Sequence, residues 1–165
     1  MDADAGPFYR PLSADAPLSQ GDVLLNVLCL DTKTAPSGAR KTAMVVTYSC
    51  ELDKPNNQVF HVAVCSRFTR EKEPFREKIR SGNVTNVMHL PDHEALAGEG
   101  YVDFRAMFRV QFSDVNAELH VTDKDQSTRV LQDPSIRVIA LAERGVLTLQ
   151  GQIARFFGLG RADVR

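Results

Sequence analysis

Short apolar runs rich in β-branched residues, each bounded by turn formers, fill most of the chain; near the C-terminus the apolar period lengthens to three or four. Val23–Leu30, reading VLLNVLCL, is dense and brief, which predicts a buried strand. Residues 31–39 are turn formers and predict a loop. Two further strands are predicted at 42–48 and 58–65, joined through Asp53, Lys54, Pro55, Asn56 and Asn57 as a hairpin connection. Val84–Leu90 and Tyr101–Phe112 come next, with a polar loop over 91–100 between them. In the second of these, Val102 and Phe104 follow period two, whereas Phe104, Met107 and Phe108 follow a helical spacing. A bulge near Arg105 is therefore expected. Residues 113–134 carry no clear period, and Ile136–Leu141 predicts the last strand. Val146, Leu149, Ile153, Phe156 and Phe157 then form the stripe of an amphipathic helix that ends at Gly158 and Gly160.

Strands followed by one terminal helix predict a mainly β, α+β fold, a small barrel with a C-terminal amphipathic helix packed on it. Residues 1–20, with Pro7, Pro11 and Pro17, read as an N-terminal arm, and 21–165 as a single domain. Within it, residues 67–82 (RFTREKEPFREKIRSG) change character and predict an exposed helical or irregular insertion, with Pro74 near a helix start.

Composition narrows the partners. A net charge of -1 gives no global attraction to polyanions, so any nucleic-acid binding must come from a local patch. No apolar run approaches the ~20 residues that span a bilayer, and the acidic start MDADAGPFYRPL has no signal-peptide character. Cys29, Cys50 and Cys65 are an odd, widely spaced set, which suits reduced thiols. A cytoplasmic, non-membrane protein is the expectation. No metal or cofactor motif is apparent.

Three stretches resemble the MazF/PemK-like family. Gly21-Asp22 opens a strand, as that family typically begins. Arg40-Lys41-Thr42-Ala43-Met44-Val45-Val46-Thr47 stands where the family has a loop arginine, a proline and an A-V-V-L-S strand. Val62-Ala63-Val64-Cys65-Ser66 is similar to a strand ending V-P-C-T. The likeness covers roughly residues 20–68, and the closing strand and helix more loosely. It implies an SH3-like barrel, toxin-type endoribonuclease activity on single-stranded RNA, a homodimer and a separate antitoxin or other partner protein. It also departs from the family. The arginine and threonine that carry cleavage there are matched here by Lys41 and Ser66, Thr42 replaces the proline, and Ser49-Cys50-Glu51-Leu52-Asp53 is unlike the toxins.

Metal-independent RNA cleavage needs a deprotonated ribose hydroxyl, a neutralised phosphorane and a protonated leaving oxygen. By the resemblance, Arg40 or Lys41 would stabilise charge and Ser66 would donate to a phosphate oxygen. The bland alternative is two solvated cations and a strand-end hydroxyl. Arg67, Arg70, Lys72, Arg76, Lys78 and Arg80 face only Glu71, Glu73 and Glu77, and Phe68 and Phe75 interleave with them as stacking surfaces for bases. Of these, Arg67, Arg70, Lys72 and Arg76 are the nucleic-acid-binding candidates; the alternative is an exposed helix laced by its own ion pairs. Cys50 with Glu51 and His61 offers a thiol site, against the alternative of a small unreactive thiol. His89 and His93 flank Pro91 in a loop and read as surface residues, while His120 lies in a polar segment where nothing pairs with it by spacing. A catalytically degenerate barrel serving as an interaction or dimerisation module is the rival function, and the apolar surplus of 101–112 is the interface candidate.

Overall fold

The computed structural model describes residues 6–29, 39–123 and 126–158. The loop expected at 31–39 falls outside them except for its last residue, and Gly160 lies outside as well. The elements in order are β1 (Tyr9–Arg10), β2 (Asp22–Cys29), β3 (Ala39–Val45), α1 (Ser49–Leu52), β4 (Val59–Arg67), α2 (Glu73–Arg80), β5 (Val87–His93), β6 (Gly98–Gln111), β7 (Ala117–Asp123), β8 (Gln126–Leu131), β9 (Arg137–Leu141) and α3 (Glu143–Phe156). Seven strands form one antiparallel sheet in the order β1-β9-β2-β3-β4-β6-β5, and β7 with β8 makes a separate hairpin. The fold is α+β and mainly β.

The dense apolar runs are strands that bury both faces. Leu24, Val45, Phe60 and Val62 join Phe112 and Leu131 in one core, under the β7–β8 hairpin. Their alternate neighbours Val23, Met44 and Ala63 join Phe104 and Leu149 in a second, under α3. The expected break near Arg105 is present. Ala63 pairs with Met107 but Val64 with Asp103, so Phe104, Arg105 and Ala106 form extra chain on β6. This insertion switches faces, sending Val102 and Phe104 to the second core and Val110 and Phe112 to the first. The apolar surplus of 101–112 is used in that way: Phe104 packs against Phe156 at 6.0 Å, and Met107 and Phe108 lean on the two cores.

Several boundaries differ from the sequence expectation. β3 begins at Ala39, because the apolar run of β2 continues to Cys29 and extends the ladder through Val27↔Lys41 and Leu28↔Arg40. Arg40 and Lys41 are thus strand residues. The connection from β3 to β4 holds the single turn α1, whose Leu52 is buried, in place of a simple hairpin. Ala117–Asp123 and Gln126–Leu131, from the stretch with no assignable period, pair as the hairpin. β5 runs through Pro91, and a tight turn over Glu94–Leu96 replaces most of the loop expected at 91–100.

Among the described residues no ladder joins the outermost strands β1 and β5, and backbone pairing there leaves the sheet open. Side chains nevertheless link them. The Tyr9 hydroxyl donates to the Pro91 carbonyl at 2.8 Å, and the Tyr9 and His93 rings meet edge to face at 4.9 Å. Among the described residues no helix is long and apolar enough to cross a membrane.

Candidate functional site

Antiparallel register sets three reactive side chains in a transverse line across β4, β6 and β5. Ser66 pairs with Tyr101, and Tyr101 pairs on its other side with His89. Directly opposed residues share a face, and so do residues two apart along a strand. Glu99 therefore lies on the same face as Tyr101. Phe68 extends the row of Ser66, and its N–H donates to the Glu99 carbonyl at 3.2 Å.

The Phe68 ring is the hub of this face. Tyr101 lies 5.8 Å from it, His89 is stacked nearly parallel at 6.3 Å, and the guanidinium carbons of Arg76 and Arg80 sit over it at 5.3 and 5.8 Å. Both arginines come from α2. That helix starts where Pro74 needs no hydrogen-bond donor, carries Glu73 in its first turn and Lys78 and Arg80 in its last, and buries Ile79. The spacing of four between Arg76 and Arg80 puts both on one side of the helix.

Charge is closely paired here. Glu99 accepts from Arg80 Nε at 2.9 Å and Arg80 Nη2 at 3.3 Å, and His89 Nε2 lies 2.8 Å from Glu99 Oε2. The Arg80 hydrogen bonds hold the Glu99 carboxyl below its ordinary range, with His89 adding to the effect. Arg80 is shifted up in turn by Glu99 and Glu73. Glu71 accepts from the Thr69 and Arg70 N–H groups and from the Tyr101 hydroxyl at 3.2 Å, and is likewise lowered, chiefly by the Thr69 N–H. Burial raises Tyr101, and its bond to Glu71 adds to that. Arg76 donates Nε to the Glu71 carbonyl at 2.9 Å, and its two terminal nitrogens have no protein partner among the described residues.

The expected site residues divide into three groups. Ser66 belongs to the row just described. The β3–β4 ladder ends at Ala43↔Val64, and the same register carried two residues further sets Lys41 across from Ser66. Beyond that last pair the strands part around a cleft of about 260 Å³, lined by Leu25, Thr42, Cys65, Ser66, Arg67 and Gly100 among others. Arg40 is turned to another task, donating to the Asn26 carbonyl at 2.9 Å on the bulge of β2. Among the described residues no histidine or carboxylate lines the cleft, and burial pushes the Cys65 thiol up to about 12.

Arg67, Arg70 and Lys72 are exposed, and none has a side-chain ion pair among the described residues, whereas Arg76 is half-buried over Phe68. The thiol group is not assembled. Cys50 is exposed, Glu51 is ion-paired with Lys54, and no hydrogen bond or ion pair links Cys50 to His61. The cluster around it serves the scaffold: Ser49 Oγ accepts from the Gln20 N–H at 3.1 Å, and Asp53 Oδ1 from the Arg129 N–H at 3.1 Å. No group of three metal-ligating side chains occurs among the described residues.

The chain matches no protein-family model and no curated protein. Its geometry therefore carries the functional argument alone. The residues that sequence reasoning missed are His89, Glu99, Tyr101 and Glu71. The signal available for them was alternation: Ser66 with Phe68, and Glu99 with Tyr101, each stand two apart beside strand-like runs.

Proposed function

We propose that the chain is a divergent MazF/PemK-like domain, an SH3-like barrel closed at its edges by side chains, that binds single-stranded RNA across the face of Ser66, Phe68, Tyr101 and His89. The observation that carries this reading is the convergence of Tyr101, His89, Arg76 and Arg80 on the Phe68 ring. Single-stranded nucleic acids are held by aromatic platforms on sheet surfaces beside cationic tracks. Arg70 and Lys72 supply that track, Arg67 falling on the other face of β4 by alternation, and the terminal nitrogens of Arg76 are open to a phosphate. Guanidinium suits this role because its planar fork matches two phosphate oxygens. A homodimer and a separate antitoxin chain accompany the reading as proposals from the same resemblance.

The rival, a degenerate barrel used as an interaction module, draws on one observation: Arg80 is fully engaged by Glu73, Glu77 and Glu99. Fluorescence anisotropy with a mixed-sequence single-stranded RNA and its duplex separates the two. The RNA reading expects preference for the single strand, with log K falling against log salt by ~0.7 per phosphate contact. Arg70→Ala and Lys72→Ala should each flatten that slope. Absence of binding at low salt defeats the reading and leaves the interaction module.

A further inference from the structure

The proposed binding face also holds groups suited to metal-free phosphodiester cleavage, and they are not the ones the family resemblance assigns. We infer that His89, oriented by Glu99, accepts the proton of a ribose 2′-hydroxyl, that Tyr101 delivers a proton to the departing 5′-oxygen, and that Arg76 meets the phosphate between them. This rests on the RNA-binding reading.

The dyad comes first. His89 Nε2 lies 2.8 Å from Glu99 Oε2, and Glu99 is gripped on both oxygens by Arg80. A carboxylate kept ionised takes the Nε2 hydrogen, which leaves the lone pair on Nδ1 as the base. No protein group among the described residues occupies Nδ1. Its counterpart stands directly across the ladder: Tyr101 pairs with His89, and opposed side chains root ~4.5–5.5 Å apart at Cβ, close enough to flank one phosphate. The phenol donates its one proton to Glu71 at 3.2 Å, so to serve a departing oxygen the hydroxyl must turn from that carboxylate to O5′. Arg76 sits over the Phe68 ring that both touch, with two free N–H-bearing nitrogens for the phosphorane charge. Ser66, next in the row, adds a hydroxyl.

The step balances without a co-reactant. The 2′-oxygen attacks phosphorus and the O2′–P bond forms as the P–O5′ bond breaks. The 2′ proton passes to Nδ1, and the phenolic proton passes to O5′. The products are a 2′,3′-cyclic phosphate and a 5′-hydroxyl. Proton exchange through solvent then returns the imidazolium proton to the phenolate.

The test incubates chelator-treated full-length protein with a 5′-labelled mixed-sequence single-stranded RNA, measuring binding and cut ends in parallel. Expected are cyclic-phosphate ends, a loss of ~10²–10⁴-fold in the single-turnover rate at saturating RNA for His89→Ala, and partial recovery on adding imidazole. Tyr101→Phe, which keeps the ring against Phe68, should also lose rate at saturating RNA. Binding without cutting by the wild type overturns this inference and spares the RNA-binding reading. So does undiminished cutting by both variants, or cutting that needs added divalent ion. Failure of the wild type to bind RNA at all overturns the reading and the inference together. Circular dichroism on each variant separates loss of chemistry from loss of fold, and a His89→Gln variant, which preserves a hydrogen bond to Glu99, replaces the alanine if that one unfolds; full activity in it counts against the inference.

Discussion

The Tyr9 hydroxyl donates a 2.8 Å hydrogen bond to the carbonyl of Pro91, 82 residues away, and so ties together the two outermost strands of the sheet. Neither strand could make this link through its ladder. β1 has only Tyr9 and Arg10, paired with Leu141 and Ala140, and its partner across the gap is β5. Burial keeps the phenol firmly protonated, with its pKa raised, so it remains a donor at any ordinary pH. Tyr9→Phe keeps the ring contact with His93 and removes the bond alone. The expected loss is ~0.5–1.5 kcal/mol in urea unfolding, the net worth of one hydrogen bond. An unchanged midpoint would show that the edges are held by ring packing only.

Asp22 is the anchor of the opposite end of the arm. Its side chain is fully buried, accepts from the Ser19 N–H at 2.9 Å and from Arg10 at 3.2 Å, and faces Arg137 Nε at 3.2 Å. Arg137 is nearly as buried, with Nη1 lacking any hydrogen-bond partner. Removing the anion strands that cation in the interior. Asp22→Asn should therefore cost ~3–5 kcal/mol, while the double variant Asp22→Asn/Arg137→Met should recover much of it. Equal losses in the single and double variants would mean that the pair carries little.

How much of this was legible in the sequence depended on what each feature needed. β2, β9 and α3 were readable because their apolar period is strong and their ends are marked. β5 was misplaced because Pro91 looked like a breaker. Pro91 sits on an outermost strand, where a missing N–H costs no ladder bond. Ser66 stood out as a polar residue ending an apolar run. His89 did not, since its place beside Tyr101 depends on a turn that returns the chain through Ala97 in the left-handed region at φ 55°. Cross-strand register is a tertiary property, and alternation along one strand shows which face a residue takes but not what it faces. The Ser49–Asp53 cluster misled for the converse reason: its reactive side-chain types are spent on tethering α1 to Gln20 and Arg129.

Gly100 pairs with Arg67 across β4 and β6, next to the Ser66–Tyr101 pair. A Cβ there would stand 2.4 Å from the Ser66 carbonyl oxygen and 3.2 Å from Arg67 Cα, both backbone atoms. The strands would have to separate, so Gly100→Ala should destabilise by ~1–3 kcal/mol and weaken the proposed RNA binding with it. Gly151 is the control. It lies on the exposed side of α3 with open space around its Cα, and Gly151→Ala should stabilise by ~0.5–1 kcal/mol. A Gly100→Ala protein as stable as wild type would sink the packing argument.

Acid should loosen α2 before it unfolds the sheet. Glu99 and Glu71 are both lowered, the first chiefly by Arg80 and the second chiefly by the Thr69 N–H. A carboxyl lowered on folding contributes stability that is complete above its unfolded value of ~4.3 and disappears as pH falls through the lowered folded one. The groups facing Glu99 are Arg80 and His89, and Arg80 also meets Glu73 and Glu77. Hydrogen exchange across 69–81 should therefore rise below about pH 4.3 while the amides of β2 stay protected, and Glu99→Gln should reproduce that loosening at neutral pH. Simultaneous loss of protection in both segments would contradict it.

The three thiols differ in access and in acidity, and labelling can read both. Cys29 is buried, and burial raises it; Cys65 is pushed up to about 12 because its sulfur sits among apolar neighbours. Only the thiolate is alkylated, so both should be nearly inert in the folded protein near neutrality. Cys50 is exposed on α1. Iodoacetamide at pH 7.5 should give a single adduct, at exposed Cys50, and two more only on unfolding. Labelling at Cys50 far faster than a free cysteine would revive a nucleophilic role for it. Early labelling at Cys65 would mean that the cleft beside Ser66 is open to its floor, and the placement of that strand end would need revision.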